Sequence, residues 1–176
     1  MSLFRFLGLA AEAAPDAREP ASLREITARL SSLPAEDARF VAAFAYLLAR
    51  VAGADLDTAS RERDTMAQRL ESAAGLEPDR AATLADAAIA AAKTHSASDD
   101  HLVARAYRGM SSDDERKLLV RCLYAVAAAD ASITTVEDNE IFEIATEIGL
   151  GRKDVVALRA EFREHLAVLK ALPRER

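Results

Sequence analysis

Apolar residues recur along this chain at spacings of three and four, the period that lines one face of a helix. Phe40, Ala43, Phe44, Leu47, Leu48 and Val51 form one such stripe, and Leu118, Leu119, Cys122, Leu123 and Val126 form a second. Ile141, Ile144, Ala145 and Ile148 form a third. Nowhere do β-branched and polar residues alternate over the length of a strand, and Ile133-Thr-Thr-Val136 is too short to count as more than a turn.

Helix starts are marked separately by capping chemistry. Ser22-Leu-Arg-Glu25, Ser112-Asp-Asp-Glu115 and Thr134-Thr-Val-Glu137 fit the capping box, in which a hydroxyl and a carboxylate satisfy free N–H groups reciprocally. Pro34 and Pro78 suit the first turn, where no N–H is needed. Capping and periodicity together predict helices at about 2–13, 22–32, 35–53, 58–74, 78–94, 98–109, 112–129, 134–148 and 152–168. The expected fold class is all-α: a helical domain over about 21–170, preceded by an arm (1–20) and followed by a tail (171–176).

The chain also aligns with itself. Val51-Ala-Gly-Ala-Asp55 matches Val126-Ala-Ala-Ala-Asp130, and continuing without a gap brings Glu62 onto Glu137. One gap later Gly75-Leu76 meets Gly149-Leu150. The repeated unit reads as helix, acidic loop, helix, Gly-Leu turn, helix, over about 35–94 and 112–168. Two such units packed face to face would bury both apolar faces in one bundle.

Composition narrows the classes of partner. Hydrophobic residues make up 51% of the 176 but aromatics only 5%, with alanine prominent, which fits closely packed helices better than a sandwich or barrel. A formal charge of −6 argues against a nucleic-acid partner, which requires clustered Lys and Arg, and favours cations. The single cysteine, Cys122, forms no intrachain disulfide and suits a reducing, cytoplasmic compartment. The opening MSLFRFLGLAAEAAP lacks the order of a signal peptide, because Arg5 sits inside the apolar run and Glu12 interrupts its end. It reads as an amphipathic arm that lies on the domain, on a partner protein or on the inner face of a membrane.

The acidic loops carry the candidate chemistry. Asp130, Ser132, Thr134 and Glu137 are hard oxygen donors, and Ca²⁺ takes six to eight such ligands. Each loop offers only two or three strong donors, so a closed cage needs both halves or several waters. The candidate metal ligands are Asp55, Glu62, Asp130 and Glu137, with Asp57 and Ser132 as additional ones, and the ion is Ca²⁺ or another divalent cation. A competing account needs no ion: Glu137 completes the Thr134 box, while Asp130 accepts N–H groups of its own loop or pairs with an arginine. Glu62 has no such box, because Ala59 stands where Thr134 does.

Other motifs are poorer. The EF-hand pattern, a glycine-rich phosphate loop, a nucleophile elbow and a paired-histidine metal motif are all missing from the sequence. His95-Ser-Ala-Ser-Asp-Asp-His101 matches no standard zinc spacing and reads as a solvated loop or helix start. His165 reads as an exposed residue of the charged terminal helix, and Cys122 as a buried, inert thiol.

At the acidic loops the chain resembles the TerB family of tellurite-resistance proteins, an all-helical fold related to the N-terminal domain of the DjlA membrane co-chaperone. The family motif is a helix ending in Ala-Asp-Gly, a short loop with an apolar residue, and a glutamate in the next helix. Here it reads Ala129-Asp130-Ala131-Ser132-Ile133 leading to Glu137, preceded by Asp113-Asp-Glu-Arg116 and Leu118-Leu119. Ala54-Asp55-Leu56-Asp57 leading to Arg61-Glu62-Arg63 is similar. The family glycine is replaced by Leu56 and Ala131, which counts against a loop-bound ion if that glycine serves positive φ or close approach of a ligand. The resemblance implies a non-enzymatic interaction protein in a stress or envelope-associated role, binding a divalent cation at these loops. Two alternatives come from other classes: a membrane-peripheral or co-chaperone-like adaptor without metal, and a metal-dependent hydrolase. The hydrolase lacks a nucleophile, base or oxyanion donor beside the carboxylates.

Overall fold

The structure, a computed structural model, describes residues 20–52, 59–94 and 97–170. These residues build α1 (Ala21–Ala28), α2 (Ala35–Val51), α3 (Ala59–Ala74), α4 (Pro78–Thr94), α5 (Ala97–Met110) and α6 (Asp113–Ala127). A 3₁₀ turn (Ala128–Asp130) then leads to α7 (Thr135–Glu147) and α8 (Arg152–Ala160), and a second 3₁₀ turn (Arg163–His165) to α9 (Ala167–Lys170). The fold is all-α, and no described helix is long and apolar enough to cross a membrane. The expected arm helix at 2–13, the tail, Asp55, Asp57 and His95 lie outside the described residues.

The architecture is organised around α2. Its sequence predicts a single apolar stripe, but from Phe40 to Ala49 the helix is buried on every side, with Val41, Ala42, Ala45 and Tyr46 wholly enclosed. A helix apolar all round is a core element rather than a surface one. Helices α1, α3, α4, α5, α6 and α7 all pack against it, and alanines at 42, 43, 45 and 49 let them approach closely. Tyr46 is buried with its hydroxyl donating to Asp100 Oδ1 at 2.7 Å, so its polar tip is satisfied. Arg50, at the C-terminal end, bonds Glu140 Oε1 at 2.9 Å and Glu147 Oε2 at 2.7 Å on α7. Burial alone would lower its pKa; the bond to Glu147 and the Glu140 charge raise it instead.

Helix ends follow the sequence at two of three predicted capping boxes. Ser112 with Glu115 and Thr134 with Glu137 both form the full reciprocal box. Ser22 does not: α1 starts at Ala21 after Pro20, and Ser22 donates from its N–H and hydroxyl to Asp99 Oδ2 on α5, the latter at 2.7 Å. A carboxylate distant in sequence thus meets the free donors that a local box would have used. Arg116 explains the acidic-arginine opening of α6: its guanidinium reaches back to the Arg108 and Ser111 carbonyls at 2.8 Å each, closing the corner between α5 and α6.

The last predicted helix, 152–168, is broken. It stops at Ala160, turns, and runs extended through Leu166. Ile133 pairs in parallel with this segment, its N–H donating to the His165 carbonyl at 2.7 Å and its carbonyl accepting from the Ala167 N–H at 2.9 Å. Leu166, 1% exposed, still reaches the core after the break. The break places His165 half-buried in a 3₁₀ turn, not exposed on a helix as expected.

Gly75 and Gly149 end their helices with φ of 64° and 87°. At Gly149 a Cβ would meet the exposed Arg108 side chain, with Nε at 2.8 Å, and would have to displace it, while the positive φ itself disfavours any side chain. Gly149→Ala is therefore expected to lower stability by at least about 1–2 kcal/mol. Gly151→Ala, whose Cβ would meet only Asp154 Oδ2 at 3.4 Å, is expected to leave the melting temperature nearly unchanged. Paired thermal melts check both.

Candidate cation site at the inter-helix turns

The second acidic loop is held along its whole length by its own chain. The Ala131 N–H closes the 3₁₀ turn onto the Ala128 carbonyl at 2.9 Å. Asp130 Oδ1 accepts the Ser132 N–H at 3.0 Å, an Asx turn that answers what partners this helix-end carboxylate. No arginine pairs with Asp130 among the described residues. Glu137, buried in the first turn of α7, accepts the Thr134 N–H at 2.7 Å and the Thr134 hydroxyl at 2.8 Å through Oε2. Its predicted capping role is what the geometry shows.

Ala131 has φ 71° and ψ 6°, the one non-glycine at positive φ among the described residues. The position where the resemblance expects glycine does adopt the left-handed conformation, and alanine is held there at some strain.

The 3₁₀ turn carrying Asp130 packs against both α6 and α3. Glu62 lies in the first turn of α3 and is 2% exposed. The structure thus brings the helix that bears Glu62 against the turn that bears Asp130, one from each half of the chain. No three His, Cys, Asp or Glu side chains converge as a metal-holding group among the described residues. A cage on this surface needs Asp55, from the loop outside them.

The remaining candidates resolve differently. His101 is largely exposed, with Nδ1 3.2 Å from Glu147 Oε1. Cys122 is 5% exposed, and burial pushes its thiol up to about 11. Sequence reasoning missed Asp138, which receives two hydrogen bonds from Arg159 Nε at 2.9 Å and one from Nη2 at 2.7 Å, and accepts the Tyr124 hydroxyl at 3.1 Å. Tyr124 in turn stacks on Phe162 with centroids 5.4 Å apart. This group fastens α8 and the segment after it to α6 and α7. Only the spacing of Tyr124 and Asp138 either side of the loop hinted at it.

An all-helical bundle in which the helix bearing a buried first-turn Glu62 packs on the turn bearing Asp130, itself followed by a helix with a buried first-turn Glu137, is the class these features define. The TerB family model, described as "Tellurite resistance protein TerB", matches residues 40–160, and the chain belongs to that family. The matched span runs from α2 to the end of α8 and includes both acidic turns. No curated protein and no solved structure matches the chain.

Two outcomes are expected. Ala131→Gly relieves the left-handed strain and raises stability by about 1 kcal/mol in denaturant unfolding. The Cys122 thiol, with about a hundredfold less thiolate at pH 8 than a thiol near 9, reacts with a disulfide reagent at least that much more slowly in the native protein than in denaturant.

Proposed function

We propose that this TerB-family chain is a non-enzymatic, stress-associated interaction module of the cytoplasm. It binds a protein partner, working at the inner face of the membrane, and holds one divalent cation of the Ca²⁺ type between its acidic turns. Asp55, Glu62, Asp130 and Glu137 are the ligands in this reading, one aspartate and one glutamate from each of two related halves, with water completing the shell.

The observation that supports it is the burial of Glu62 on the helix that packs against the Asp130 turn. A carboxylate taken out of water requires strong compensation, from several N–H donors or from a cation. At Glu137 the Thr134 box supplies part of that compensation. A cation shared by the two turns would compensate both glutamates and both aspartates at once. The non-enzymatic reading rests on the same chemistry, since the carboxylates have no activated nucleophile among their neighbours and the single thiol is buried and protonated.

Thermal melting with Ca²⁺, Mn²⁺ or Zn²⁺ against a chelator tests the ion. At about a hundred times Kd a single site stabilises by roughly 2.7 kcal/mol, a rise of roughly 5–10 °C for a chain of this size. Glu62→Gln and Asp130→Ala should each abolish the rise. Identical melts with metal and chelator in the wild type would sink the cation reading.

A further inference from the structure

The turn between α1 and α2 and the first half of α4 enclose a cavity of about 110 Å³. Its floor is aliphatic, with Leu30 and Leu84 nearly buried, and its rim is polar, with exposed Arg29, Ser32 and Arg80. A dry apolar cavity of about 150 Å³ admits benzene, so this one fits a single branched aliphatic side chain and is too small for an acyl chain. Arg80 Nη1 donates to Ser32 Oγ at 2.9 Å, which steadies the guanidinium beside the opening. Among the described residues neither Arg29 nor Arg80 is paired with a carboxylate.

The placement of Arg80 is electrostatically unfavourable for the helix that carries it. It lies in the first turn of α4, at the positive end of the macrodipole, where acidic residues are favoured. Its charge therefore adds to the helix end instead of cancelling it. Asp79, which shares that first turn and offsets part of the charge, and Glu77, just before the helix, do not line the cavity. The result is a local cationic mouth over an aliphatic floor, on a chain whose net charge is −6.

We propose that this mouth docks an acidic, aliphatic segment of a partner protein. One Leu, Ile or Val side chain fills the cavity, and a neighbouring carboxylate accepts hydrogen bonds from Arg29 and Arg80. The proposal deepens the partner-binding part of the reading above but is independent of the cation. The site lies on α1 and α4, and its failure would leave the metal melting result standing, as the reverse also holds.

The test is fluorescence anisotropy of the full chain with a labelled peptide alternating Glu and Leu, beside its Lys-Leu counterpart. Saturable binding of the Glu-Leu peptide is expected, at least tenfold weaker in Arg29→Glu and in Arg80→Glu, with no saturable binding of the Lys-Leu peptide. Melting temperatures of both variants should stay within a few degrees of wild type, as both side chains are exposed; Arg29→Gln and Arg80→Gln serve where they do not. Absence of saturable binding, or undiminished binding by the double variant, overturns the proposal. So does equal binding of the Lys-Leu peptide, or displacement of the peptide by octanoate at its own Kd. Self-association that Arg80→Glu abolishes, seen by sedimentation, would make a second copy the occupant and overturn it as well.

Discussion

Everything else in this bundle depends on the burial of α2 on all its faces from Phe40 to Ala49. Over that stretch the helix leaves no face on which charge can meet water. The six helices packed on α2 supply that enclosure, and its alanines set how close they come. The requirement is harsh at the C-terminal end, where Arg50 follows the buried Ala49. Arg50 is only 7% exposed and is matched by two carboxylates from α7. Glu140 is 31% exposed and Glu147 15%, and Arg50 keeps one carboxylate if the other is removed, so each single loss costs less than the roughly 3–5 kcal/mol of breaking a fully buried pair. One buried cation thereby fixes the register of α7 against α2.

The same logic governs the helix ends elsewhere. Each helix presents up to four free N–H groups and four free carbonyls, and in a chain made of short helices the total is large. Here the ends are closed by partners from outside the helix as often as by local motifs. Asp99 on α5 caps α1; Arg116 on α6 closes the end of α5; Glu147, a carboxylate at the unfavourable end of α7, is held by Arg50. These contacts tie sequence-distant elements together, so helix termination and tertiary packing are one event in this fold.

That coupling sets what the sequence could reveal. Helix existence and type were legible because periodicity is a local property: Ile141, Ile144, Ala145 and Ile148 are all buried as their spacing predicts. Ser112 and Thr134 boxes were legible because both partners lie within four residues. Ser22-Leu-Arg-Glu25 has the same pattern and fails, because Asp99 competes for the Ser22 donors from 77 positions away. The break at 161–166 was hidden for a similar reason, since what ends α8 is the pull of Ile133 on the backbone at 165 and 167. Glu62 and Asp130 were legible as an aligned pair with their partners, and their helix and turn do pack together. Sequence left Asp130 three possible partners, an arginine, the N–H groups of its own loop or a cation, and the geometry shows the second, through Ser132.

The strained Ala131 bears on how the acidic turn could work. A non-glycine stays at positive φ only where its surroundings over-determine the backbone. Here the restraints run without interruption through the 3₁₀ bond at 128, the Asx turn at 130, the two backbone bonds of Ile133 and the capping box at 134. The turn is rigid by its own chemistry, so a cation arriving there would spend little of its binding energy on ordering it. For the same reason this turn does not need a cation: one Glu137 oxygen is already shared between two donors, and one Asp130 oxygen is engaged. On the other side of the contact Glu62, 2% exposed against 7% for Glu137, is the more deeply buried of the two first-turn glutamates. In the cation reading proposed above, the second turn would be a preformed wall, already closed by its own hydrogen bonds, against which the helix that bears Glu62 packs.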